Sequence, residues 1–156
     1  MIMIAKKSDL ILENFVIVES HLSLVIPNEQ GNFQPLIATE AFPVLIDFRL
    51  EQENDTGRFR IVISVELNNS QEKQPGYSFA ITGMGFFKFG EDTNLTEEQK
   101  IQILQISGLS ICITNIRSYI TNQTSYFPWG SFTFHAVDIN ALLNDKKEAE
   151  GKEGVN

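Results

Sequence analysis

At 156 residues, with 42% hydrophobic side chains, the chain is long enough for one domain with a real core. Its formal charge of −8, from 12 Lys+Arg against 20 Asp+Glu, disfavours nucleic acid or an anionic membrane as partner. No segment reaches the roughly 18 apolar residues that span a bilayer. The opening MIMIAKKSDLILENF lacks the basic, apolar, small-residue order of a signal peptide, so a cytoplasmic protein is expected.

Residues 1 to 13 are ambiguous, and Ser8 to Glu13 begin either a short helix or an extended arm. From Phe15 to Ile26 the pattern is strand, with Val16, Val18, Leu22, Leu24 and Ile26 on one face and Glu19, His21 and Ser23 on the other. Pro27-Asn28 ends it. The following segment, Glu29 to Pro43, holds Gly31 and Pro35 yet carries Phe33, Leu36, Ile37 and Phe42. An ordinary connection is shorter and more polar, so this one is a candidate for function.

A second strand over 44–52 alternates Val44, Ile46, Phe48 and Leu50 with Leu45, Asp47, Arg49 and Glu51. Asn54-Asp55-Thr56-Gly57 makes the turn. The third strand, 58–68, turns Phe59, Ile61, Ile63, Val65 and Leu67 inward. The fourth, 76–89, contains YSFAITGMGFFKF and is apolar on both faces. Tyr77, Phe79, Ile81, Phe87 and Phe89 share one, and Ala80, Met84 and Phe86 the other. One face packs a core and the second needs a cover, which a second subunit would supply. Phe79, Ile81 and Gly83 are the expected subunit contacts, and Gly83 and Gly85 suggest a bulge or a close backbone approach.

Thr96-Glu97-Glu98-Gln99 is a capping box and predicts a helix over 96–122. Ile106, Leu109, Ile113, Ile116 and Ile120 form its apolar stripe, and Gly108 marks a bend. Tyr126, Phe127, Pro128, Trp129, Phe132 and Phe134 then crowd one loop. Asp138 caps a short final helix through Leu143. Residues 1–145 thus form one domain, with KKEAEGKEGVN, 146–156, as a mobile charged tail.

The catalytic inventory is poor. Cys112, the sole cysteine, lies in the apolar run LSICITNI and reads as a small buried hydrophobe. His21 and His135 read as structural, and no spacing suits a metal. Gly83-Met84-Gly85 lacks the pattern of a phosphate loop. Glu91-Asp92 and Glu97-Glu98 complement a helix dipole. Asn68-Asn69-Ser70, Asn94-Leu95-Thr96 and Asn122-Gln123-Thr124 match the glycosylation pattern by chance. No enzyme and no cofactor are expected.

Taken in order, the motifs resemble the SecB-type protein-export chaperones over roughly Phe15 to Leu143. LSLVIPN, Leu22–Asn28, looks like that family's first strand and its exit, and GFFKF, Gly85–Phe89, like its aromatic strand end. NIRSYITNQTSYFPWGSFTFHAVDINALL, from Asn115, is similar to the family in Arg117, in Pro128 and Gly130, and in Asp138, Ala141 and Leu142. The resemblance implies an α+β fold: a four-stranded antiparallel Greek-key sheet with one long helix and a short C-terminal one. It further implies an ATP-independent holdase, assembled as a dimer of dimers, that binds unfolded polypeptides in apolar grooves. Phe33, Leu36, Phe42, Phe127, Trp129 and Phe132 are the groove candidates it singles out.

Export-linked members carry acidic residues on the sheet that engage the translocase motor SecA. The matching positions fall near His21, Val25 and Ala80, none acidic, and the tail differs too. SecA binding is therefore expected to be feeble or absent. Service to a toxin–antitoxin pair or a mobile element is the alternative within the family. Outside it stand a protein-interaction module with one folded partner and, less favoured, a small-molecule pocket between helix and sheet.

Overall fold

The structure is a computed structural model and describes residues 1–28, 34–54 and 56–153. Strands β1 (Leu10–Val25), β2 (Val44–Gln52), β3 (Phe59–Leu67) and β4 (Gly76–Phe89) form one antiparallel sheet in the order β1-β4-β3-β2. Two hairpins join β2, β3 and β4, and a long crossover carries the chain from β1 at one edge to β2 at the other. This is the Greek-key connection. Among its described residues the crossover contains one short helix, α1 (Pro35–Glu40).

Alternation in β3 decides which face is the core. Phe59, Ile61, Ile63, Val65 and Leu67 are all buried, while the residues between them are half-buried. Pairing then assigns β4: Phe79, Ile81, Gly83, Gly85 and Phe87 lie beside that buried row. Phe79 and Ile81 are each 1% exposed and face the helix of their own chain. Their expected role as subunit contacts is corrected. With both faces of β4 apolar, periodicity could not say which one the helix covers. The uncovered face carries Ala80, Met84 and Phe86 instead.

The bulges lie in β1, not β4. Register shifts occur between Leu12 and Asn14 and between Ile17 and Glu19. They change the strand's phase, so Phe15 and Ile17 pack on the core together with Leu22 and Leu24. Val16 and Val18, expected on that face, are exposed on the other. The strand also starts earlier than expected, at Leu10. A Cβ on Gly83 would lie 2.6 Å from the Phe15 ring, and one on Gly85 would lie 2.7 Å from Cys112 Sγ. The glycines therefore admit an aromatic ring and the helix, not a bulge.

The long helix begins as the sequence predicts. The Thr96 hydroxyl accepts the Gln99 amide at 3.3 Å, and the Gln99 side chain accepts the Thr96 amide at 2.9 Å. Helix α2 (Glu97–Ile103) passes through a π-helical turn, Leu104–Gly108, into α3 (Leu109–Thr124) without a break. The extra residue moves the phase: Leu104 is buried and Ile106, expected on the apolar stripe, is 50% exposed. Gly108 sits where a Cβ would meet Ile61 Cδ1 at 2.9 Å, which places the irregularity at a close helix–sheet approach. Leu109, Ile113, Ile116 and Ile120 face the core as expected. Cys112 is buried, and burial pushes its thiol pKa up to about 12, so it stays protonated at neutral pH.

Asp138 opens the final helix, its carboxylate accepting the Ala141 amide at 3.1 Å. Helix α4 (Ile139–Glu153) does not stop at Leu143 and takes in most of the charged stretch expected as a tail. Residues 154–156 lie outside the described residues. Lys146 holds α4 to the edge strand, donating to Asp47 at 2.7 Å and lying 5.8 Å from the Phe48 ring centre. That hydrogen bond, against a smaller opposing effect of burial, lowers the Asp47 pKa from its usual 3.8. A depressed carboxylate pKa adds stability above the ordinary value, and the gain is lost as pH falls through the lowered one. Lys146→Met is thus expected to cost under ~1 kcal/mol near neutral pH, because Asp47 is largely exposed and screened. The gap to the parent in denaturant titrations should narrow as pH drops below 3.8. A gap that does not change with pH would contradict the ionic contribution.

Candidate functional site

The crossover meets the sheet where β4 begins. Gly76 has φ +135°, a conformation that L side chains rarely adopt, and a Cβ there would meet Thr39 Oγ1 at 2.9 Å. Thr39, fully buried on α1, accepts the Tyr77 amide at 2.9 Å. One hydrogen bond thus pins the crossover to the end of the sheet.

Tyr77 is the hub of this end. It is fully buried, and its hydroxyl donates to the Gly130 carbonyl at 2.6 Å. Burial raises its pKa above the usual tyrosine value, which keeps the phenol a donor. Its ring stacks with Phe127 at 5.9 Å between centres, meets Trp129 edge-on at 5.7 Å and lies 6.1 Å from Phe132. Phe132 in turn lies 6.3 Å from Phe79.

The loop after α3 is tied back by polar contacts. Thr124 Oγ1 donates to the Ile120 carbonyl at 2.7 Å and accepts the Phe132 amide at 2.8 Å. Arg117 Nε donates to the Phe134 carbonyl at 3.1 Å, with the guanidinium 5.7 Å from that ring's centre. The arginine singled out by the family resemblance therefore positions the returning segment.

Among the six expected groove residues, the structure brings four together. Phe42, Phe127 and Trp129 are half-buried around Tyr77 or beside the crossover, with one side open. Phe132 is 3% exposed and belongs to the core beneath them. Leu36 lies on α1, and Phe33 falls outside the described residues. Next to the cluster a cleft of about 310 Å³ is lined by Thr39, Glu40, Phe42, Val44, Leu67 and the segment Phe132–His135. A larger hollow, about 530 Å³, runs along the outer side of α3, but its lining is Arg117, Asn122 and hydroxyl side chains. An apolar ligand gains little there, so the smaller cleft is the better candidate.

Sequence reading missed Tyr77, Thr39, Val44 and Leu67. Tyr77 follows directly on Pro75-Gly76, a turn signal that announces a residue placed at a strand end. The other three appear only when the crossover is folded against the sheet.

Among the described residues, no helix lies over the opposite face of the sheet. Val16 and Val18 are exposed there at 36% and 57%, and Val62, Met84 and Phe86 are half-buried. Around them Glu13 pairs with Arg58 at 3.0 Å and Lys88 at 3.1 Å, and Glu19 with His21 at 2.9 Å. His21 and Ala80 are neighbours across β1 and β4. No group of three or more His, Cys, Asp or Glu that could hold a metal occurs among the described residues, and no helix among them is long and apolar enough to cross a membrane.

Among solved structures, the chain is similar to the SecB-like chaperone Rv1957 of Mycobacterium tuberculosis, in complex with a ChAD peptide from the antitoxin HigA1. The TM-score is 0.55 at 15% identity, over 83% of this chain and 91% of that one. The fold is SecB-like. A protein of unknown function from Streptococcus agalactiae aligns over 82% of this chain and 97% of its own, at 11% identity and a TM-score of 0.38, too low to carry weight. No protein-family model matches the sequence, and no curated protein does.

Proposed function

We propose that this protein is a non-enzymatic, ATP-independent holdase that binds apolar segments of unfolded polypeptides at the crossover end of its sheet. The observation that supports this reading is the gathering of half-buried Phe127 and Trp129 around Tyr77, beside an open cleft lined by Phe42, on a SecB-like fold. Aromatic rings offer contact area without demanding a particular partner, which suits varied clients. At about 25 cal/mol per Å² of apolar area, hiding a few hundred Å² contributes several kcal/mol gross. Ordering the client removes much of that, so several sites must act together. An assembly of copies meets this need, and the uncovered face with Val16, Met84 and Phe86 is its proposed contact. The protein is read as cytoplasmic, with no cofactor.

The test is aggregation of several unrelated denatured proteins, followed by light scattering. The holdase slows all of them at comparable molar ratios. A protein that protects none of them refutes the reading. Protection of a single client supports a second reading, a dedicated chaperone of one antitoxin-like protein, which the peptide bound to the mycobacterial neighbour favours. With His21 and Ala80 on the open face in place of acids, SecA binding is expected to be feeble. A low-salt titration matching an export-linked member would overturn that expectation.

A further inference from the structure

Met1, Ile2, Met3 and Ile4 are 83–113% exposed, more than any other large apolar side chains described. An uncovered apolar tetrapeptide is itself a chaperone substrate in chemical terms: flexible thioethers and branched aliphatic groups that pack well on aromatic rings. Lys6 and Lys7 follow it in a chain of net charge −8, and Glu40 lines the cleft beside the aromatic cluster.

The arm cannot reach its own cleft. The Gly90 amide donates to the Asp9 carbonyl at 3.0 Å, and Leu10 pairs with Phe89, so the arm leaves from the far end of β4. Tyr77 stands near the opposite end of that 14-residue strand, roughly 40 Å away at ~3.3 Å per residue. Residues 1–9, fully stretched, cover only about 30 Å. A cleft on another copy of the chain has no such limit.

Building on the reading of this cleft as a client site, we propose that residues 1–4 are an internal pseudo-client: the arm of one copy occupies the aromatic cleft of a second copy, and an unfolded client has to displace it. The arm then holds idle clefts closed and weakens client binding by the fraction of clefts it fills.

Trp129 is the sole tryptophan and sits at the cluster, so its emission reports on occupancy. The probes are a synthetic peptide of residues 1–8, MIMIAKKS, and a reduced, alkylated globular protein that stays unfolded. Deleting residues 1–4 should tighten binding of the unfolded protein about fivefold and shift Trp129 emission. Ile2→Ser with Ile4→Ser, which keeps the length, should do the same. The free peptide should bind the truncated chain, reverse the emission shift and compete with the client. In the full chain, Trp129 emission should move toward that of the truncated chain on dilution, as copies separate and arms leave the clefts. An emission that does not change with dilution would overturn the exchange between copies. If the unfolded protein binds both chains equally and the peptide leaves Trp129 unchanged, the arm proposal falls and the holdase reading stands. If neither chain binds the unfolded protein while the peptide still shifts Trp129, the holdase reading falls and the arm contact stands.

Discussion

Tyr77→Ala is expected to cost about 4 kcal/mol and to lower the melting temperature by roughly 8–16 °C. Three aromatic rings and the Gly130 carbonyl all meet this one side chain, which no water reaches. Truncation leaves a cavity beneath Phe127 and Trp129 and a carbonyl without its donor. On the proposed holdase reading, client affinity should fall with stability, because the wall of the cleft loses its support. Tyr77→Phe keeps the ring and removes only the hydroxyl, at a cost of about 1 kcal/mol. Thermal melts of both variants separate packing from hydrogen bonding. An alanine variant that melts within a few degrees of the parent would show that the ring cluster stands without its hub.

Phe79→Asp and Phe86→Asp, on opposite faces of β4, should fail in different ways. At position 79 the carboxylate enters a core where the native side chain is 1% exposed. An unpaired charge there costs several kcal/mol, a large share of the total stability of a domain this size. Little folded protein should form, as circular dichroism would show. At position 86 the side chain is half-exposed on the uncovered face, so the variant should fold and, on the proposed assembly, self-associate less. Light scattering of the Phe86→Asp protein decides the assembly surface. A folded variant of unchanged mass would clear that face of any subunit contact, and a well-folded Phe79→Asp protein would contradict the buried face of β4.

The four strands and the long helix were legible in the sequence, because β3 alternates cleanly and Thr96 and Gln99 form a real capping box, whereas α1 was not. What periodicity could not supply was phase. Val16 and Val18 were placed inward because alternation from Leu22 was carried back through the strand, and a bulge at Ile17/Glu19 breaks that count. Ile106 went astray in the same way, one π-turn removed from Leu109. Phe79 and Phe86 both looked buried, and only the pairing of β4 with β3 distinguishes them. At the candidate site the aromatic side chains were visible one by one. Their meeting point was not, since Tyr77, Thr39 and Leu67 come together through a crossover whose path depends on tertiary contact.

Sheets with bare edges invite extension by further strands and grow into fibrils. Here neither border offers a straight template. Two irregularities kink the hydrogen-bonding row of β1 along one border, and at the other Lys146 lays a charged helix against Asp47. An incoming strand would have to match a broken repeat on one side and displace an ion pair on the other. The bulges that obscure the phase of β1 in the sequence thus also guard that border against polymerisation.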